Sequence, residues 1–91
     1  MDDRAGAVAT DTVMIIRQVL AEFGKLGTEA QTIESSASLY EAGLSSHASV
    51  NVMLALEDHF DIEFPERLLK RATFESIAAL NEALETVLEA Q

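Results

Sequence analysis

Apolar positions at helical spacing divide this chain into segments. After a small, alanine-rich start without clear period, Val13, Ile16, Val19 or Leu20, and Phe23 recur at intervals of three and four and predict an amphipathic helix. Thr10 or Asp11 is suited to cap its start, and Gly24 to end it, because glycine takes the left-handed conformation that a helix C-terminus often needs. Residues 1–9 read as a flexible N-terminal tail and 10–91 as a single domain. From Gly24 to Ser45 no period is sustained, and Leu26, Ile33, Leu39, Tyr40 and Leu44 are spaced as pins dropped into a helical core. A connection this long is usually functional or held by its own side chains, and a plain up-and-down bundle does not need it.

Periodicity resumes from Ser46 to His59, with Val50, Met53 or Leu54, and Phe60 expected inward and Leu56 near the same stripe. The apolar residues spread beyond one narrow face, which leaves Val52 or Leu54 as a candidate to meet a partner surface or a cargo channel. Asp61-Ile62-Glu63-Phe64-Pro65 breaks the helix, and proline suits the first position of a short third helix over about Pro65 to Arg71, with Leu68 and Leu69 inward. Thr73 is positioned to cap a last helix that carries Phe74, Ile77, Leu80 or Ala79, Leu84, and Val87 or Leu88 on one stripe. The chain is expected to be all-α, with four helices, a long first loop and a short third helix.

Composition narrows the partners. Sixteen acidic against six basic residues give a formal charge of -10. Nucleic acid and anionic membrane surfaces need clustered cations and are therefore not expected partners; proteins with basic docking surfaces are. Arg67, Lys70 and Arg71 hold half of the positive charge. They complement the negative end of the predicted third helix or form a local docking patch. Cysteine is absent, so any thioester chemistry must borrow its thiol from a cofactor. No run approaches a membrane span and no signal-peptide pattern opens the chain, so a cytoplasmic monomer is expected.

Catalytic arrangements are thin. Ser46 and His47 are sequence neighbours, which on a helix do not face one another, so proton transfer between them has poor geometry. Glu57, Asp58, His59 and Asp61 lack the glycine and the spacing of a calcium loop and read as an acidic helix end. No catalytic or metal residue is assigned. What stands out is an exposed serine at a helix start, where free N–H groups and the positive end of the dipole favour a phosphate.

Gly43-Leu44-x-Ser46-x-x-x-Val50, then Leu54-x-Leu56-Glu57-Asp58-x-Phe60, then Ile62-x-Phe64-Pro65, resembles the central segment of acyl and peptidyl carrier proteins, over about Asp11 to Leu88. The resemblance implies a four-helix bundle of carrier type, not itself an enzyme. It implies a 4′-phosphopantetheine group, from coenzyme A, attached to Ser46 and carrying cargo as a thioester. Implied partners are a phosphopantetheinyl transferase, an amino acid or acyl ligase and a downstream acceptor enzyme. Implied contact residues are Leu44, His47, Val52, Leu54, Glu57, Asp58 and Arg67.

Family members commonly have Asp before the serine and Leu after it; Ser45 and His47 stand there. Ser45 keeps the capping role without the charge. Ala48 and Asn51 replace acids that fatty-acid carriers tend to have on this helix, which reduces the acidic face to Glu57 and Asp58. This pattern is closer to freestanding carriers charged by ATP-dependent amino acid ligases, so an aminoacyl cargo is expected first. A fatty-acid or polyketide carrier and an unmodified acidic helical adaptor are the alternatives.

Overall fold

The computed structural model of the protein describes residues 4–27 and 29–90, with side chains from Thr12 onward. Helix α1 spans Arg4–Val19 and runs on into a wider π turn, Leu20–Gly24. Helix α2 covers Ser46–Phe60, two 3₁₀ turns follow at Glu66–Leu68 and Arg71–Phe74, and α3 covers Ile77–Ala90. Every regular element among the described residues is helical. None is long and apolar enough to cross a membrane.

One core joins these elements. Ile16 and Leu20, Leu39 from the loop, Val52 and Leu56 from α2, and Ile77, Leu80 and Leu84 from α3 are all fully buried. Each contributes about 1.5–3 kcal/mol by leaving water. The π turn packs on α2, while α1 and the second 3₁₀ turn pack on α3.

The first helix differs from its sequence reading at both ends. It starts at Arg4, so Thr10 and Asp11 lie inside it; of the expected tail, residues 1–3 lie outside the described residues. At the other end the left-handed residue is Lys25 (φ 52°), not Gly24, which closes the π turn and is buried. The π turn takes up an extra residue, which rotates Phe23 outward to 39% exposure.

In place of the expected third helix, Pro65 to Arg71, and of the first residues of the expected last one, stand two 3₁₀ turns. Leu68 packs against the core and Phe74 is buried within it. Residues six apart on a continuous α-helix point about 120° apart. Extended backbone at Lys70 (φ −142°, ψ 163°) lets both reach the same core and leaves Leu69 exposed. Thr73 is buried inside the second turn, and the cap of α3 is Ser76, whose Oγ accepts the Ala79 N–H at 3.0 Å.

The described residues between the π turn and α2 form turns that are tied down along their length. Leu39 and Leu44 are buried, and Leu26, Ile33 and Tyr40 pack against the core as pins. Arg17 is a clasp that periodicity does not reveal: its Nη1 donates to the carbonyls of Ala30 (2.9 Å) and Ile33 (2.7 Å). The loop also meets the start of α3, with Leu39 N–H donating to the Glu75 carbonyl (2.7 Å) and Ala78 N–H to that of Ser35 (2.9 Å).

Candidate functional site

The entry into α2 is built from Gly43 upward. Its φ of +118° belongs to glycine, and a Cβ there would lie 2.9 Å from the backbone nitrogen of Gly27. This close approach lets Gly27 N–H reach the Ala42 carbonyl at 2.8 Å. Leu44 then drops into the core, with its N–H on the Leu39 carbonyl at 2.9 Å. Ser45 is the N-cap: its Oγ accepts the Ala48 N–H at 3.0 Å. The start of the helix is thus fixed by backbone on one side and a buried leucine on the other.

Three serines share this first turn, and the structure separates them. The Ser45 oxygen is committed to the cap. The Ser49 hydroxyl donates to the Ser46 carbonyl at 2.7 Å. Ser46 is exposed, and its hydroxyl has no hydrogen-bond partner among the described residues. The first-turn N–H groups of Ser46 and His47 are left for an external acceptor, at the end of the helix where the dipole favours an anion.

Beside Ser46 opens a groove of about 400 Å³, lined by Tyr40, Ser46, Ser49, Val50, Met53, Leu69, Lys70, Arg71 and Phe74. Its floor is apolar, from α2 and the second 3₁₀ turn. Its charges are cationic. Arg71 stacks its guanidinium 3.8 Å from the centroid of the Tyr40 ring, and Tyr40 Oη donates to the Arg71 carbonyl at 2.9 Å. Burial pushes the Tyr40 phenol above its ordinary value, with Arg71 opposing and Glu75 adding to the rise.

The phase of α2 corrects several expected contacts. Ala48, Val52 and Leu56 form its buried stripe. Val52 is fully buried and Leu44 is 4% exposed, so neither can meet a partner without unfolding the helix entry. Val50 and Leu54, expected inward, are about half exposed at 50% and 52%. Two residues along a helix turn the side chain by about 200°, so fixing Ala48 and Val52 inside sends Val50 and Leu54 out. Ser46, Val50 and Leu54 then follow one another at four-residue steps on one exposed face.

His47 and Asp58 are exposed; Glu57 is half-buried and has a structural task. Its Oε2 accepts the Phe64 N–H at 2.8 Å and its carbonyl accepts the Ile62 N–H at 3.0 Å, which holds the turn leaving α2. Arg67 is exposed but lies in a separate pocket with Glu63, Pro65, Val87 and Ala90, away from Ser46. His59 stands at the far end of α2, edge-on to Phe60 at 5.1 Å and about 20 Å along the helix from Ser46. No group of three or more acidic or imidazole side chains among the described residues is arranged to hold a metal.

An exposed, unengaged hydroxyl at a helix start, with free N–H groups and an apolar groove alongside, fits a covalently attached anionic arm. Comparison with known proteins agrees. Residues 15–84 match the phosphopantetheine attachment site family. The chain is 51% identical over 74 residues to an aminoacyl carrier protein of Agrobacterium fabrum, covering 81% of this chain and 89% of that protein. Among solved structures it resembles a chain in the crystal structure of an engineered Bradyrhizobium japonicum glycine:[carrier protein] ligase complexed with the carrier protein from Agrobacterium tumefaciens and AMP. That match has a TM-score of 0.78 and 51% identity, over 80% of this chain and 97% of that one. The solution structure of a holo acyl carrier protein from Nitrosomonas europaea matches with a TM-score of 0.75 and 30% identity, over 85% and 95% of the two chains.

Proposed function

Because the chain belongs to the phosphopantetheine attachment family of carrier proteins, we propose that it carries an aminoacyl group as a thioester on a 4′-phosphopantetheine arm joined to Ser46. The arm supplies the thiol that a chain without cysteine lacks. The Ser46 oxygen loses its proton and bonds to the phosphorus that bears the pantetheine, while the bond from that phosphorus to the bridging oxygen breaks and the nucleotide part of coenzyme A leaves with that oxygen.

The observation that supports Ser46 is the division of labour among three serines: Ser45 caps, Ser49 bonds backward, and Ser46 alone keeps an exposed, unengaged hydroxyl. The aminoacyl cargo, loaded by an ATP-dependent amino acid ligase, is supported by the likeness to the Agrobacterium carrier. A phosphopantetheinyl transferase and a downstream acceptor complete the cycle, in the cytoplasm. The protein makes no bond in cargo itself; a rigid helix holds Ser46 and raises the effective concentration of cargo at each partner. In this reading the two 3₁₀ turns stand where a carrier bundle has its short third helix.

The test is intact-protein mass after incubation with coenzyme A and a broad-specificity transferase, wild type beside Ser46→Ala. The expected result is one phosphopantetheine increment on the wild type alone, followed by a glycyl increment with glycine, ATP and a glycine:[carrier protein] ligase. No first increment, with a known carrier modified in the same tube, sinks the attachment; an increment on Ser46→Ala moves it to another serine.

A further inference from the structure

Lys70 has no evident structural duty for its charge, and that of Arg71 is met only by the Tyr40 ring. If a third α-helix ended at Arg71, both would complement its negative terminus. The structure removes that account. Lys70 stands between the two 3₁₀ turns, after the C-cap Leu69 of the first and as the extended N-cap of the second, and Arg71 opens the second turn, the wrong end for the dipole. No ion pair engages either among the described residues, in a chain of formal charge -10. The charge of Glu75 is felt at Tyr40.

Arg71 is nevertheless held in place. Tyr40 occupies one face of the guanidinium and fixes the Arg71 backbone through its hydroxyl, which leaves the donors on the guanidinium edge free. Such a fork matches phosphate oxygens. Lys70 and Arg71 line the same groove as Ser46, and none of its lining residues is acidic.

We propose that Lys70 and Arg71 form the binding site for the phosphodiester carried by Ser46. This rests on attachment at Ser46. The start of α2 supplies the covalent bond and first-turn N–H groups, and the 3₁₀ turn supplies the charge. The same two cations repel the ammonium of an aminoacyl thioester, so the groove takes the phosphate end and leaves the cargo end accessible.

The experiment compares apo and holo protein by NMR, with conversion verified by mass. Conversion is expected to shift the Arg71 Nε–Hε and Lys70 ammonium resonances while those of Arg67, which lies in the other pocket, stay in place. The shift fades in about 0.5 M salt, as screened ion pairs do. In holo Lys70→Gln/Arg71→Gln the ³¹P resonance moves to the position of the same phosphodiester in urea-unfolded holo protein; holo Lys70→Gln, which spares the Tyr40 stack, moves part of the way. Absence of the mass increment overturns the attachment and this site with it. A complete increment with Arg71 unmoved, or with Arg67 moving equally, overturns this site alone, as does a ³¹P resonance indifferent to both variants.

Discussion

Tyr40 and Arg71 hold each other: the guanidinium covers the ring at 3.8 Å, and the ring's hydroxyl donates to the arginine's own carbonyl at 2.9 Å. The pair joins the long loop to the second 3₁₀ turn across 31 residues of sequence. It builds one wall of the groove beside Ser46.

This pair has a pH signature. Burial raises the Tyr40 pKa above the ordinary 10.0, and Arg71 acts the other way. The folded state therefore keeps its proton to higher pH than the unfolded chain. The stability this contributes is complete below the unfolded value and is lost as pH rises through the folded one. Tyr40 is the only tyrosine and there is no tryptophan, so ultraviolet absorbance reads it directly in the apo protein. The expected midpoint lies above 10.0 and moves higher still in Arg71→Gln; a midpoint lowered by that substitution contradicts the arrangement.

Ser45 and Ser46 are adjacent and should respond oppositely. Ser45→Ala removes the cap from the Ala48 N–H and is expected to cost about 1 kcal/mol, or about 4–8 °C in Tm, while the modification proceeds. Ser46→Ala leaves thermal unfolding within about 0.5 kcal/mol of the wild type, as exposed substitutions usually do, and removes the mass increment. Calorimetry and intact mass on the two variants separate cap from attachment point.

Gly43 is the third pillar of the helix entry. Alanine there meets both a strained φ and a backbone nitrogen at 2.9 Å. The expected cost is about 1–3 kcal/mol, measured by urea unfolding, with slower modification because Ser46 is displaced with the turn. Gly24→Ala, at a negative φ with a leucine methyl 3.3 Å away, is the milder comparison. Equal loss at both positions would exclude backbone strain as the cause at Gly43.

Much of this architecture was legible in the chain. Apolar spacing located α1, α2 and α3, and the pins Leu39 and Leu44 are buried as expected. The Ser45 cap was readable because capping is local chemistry. What escaped depends on distant contacts. Arg17 has no place in the apolar pattern and becomes a loop clasp only once Ala30 and Ile33 turn their carbonyls toward it. The third helix failed because the backbone extends at Lys70 and turns Leu69, expected inward beside Leu68, out to solvent, a break that local spacing does not reveal. Arg67 drew attention with its neighbours, yet only Lys70 and Arg71 share the groove with Ser46.

The phase of α2 was the costliest ambiguity, and it yields the clearest contrast. Hydrophobicity alone favours burying Val50 and Leu54 over Ala48, but the Leu44 anchor and the Ser45 cap fix the rotation before that preference can act. Val52, suggested as a partner contact, is fully buried, whereas Leu54 is half exposed on the face of Ser46. Val52→Ala is therefore expected to cost about 1.5–3 kcal/mol through lost burial and a residual cavity, with ligase KM unchanged for the folded protein. Leu54→Ala should change stability by less than about 0.5 kcal/mol and raise the KM for aminoacyl loading several-fold, because the ligase must approach the face from which Ser46 projects. The two variants measured side by side, by urea unfolding and by loading kinetics on holo protein, test the rotation of the helix: a stability loss at Leu54 with none at Val52 would require α2 to be turned by about half a revolution, burying Val50 and withdrawing Ser46 from the surface.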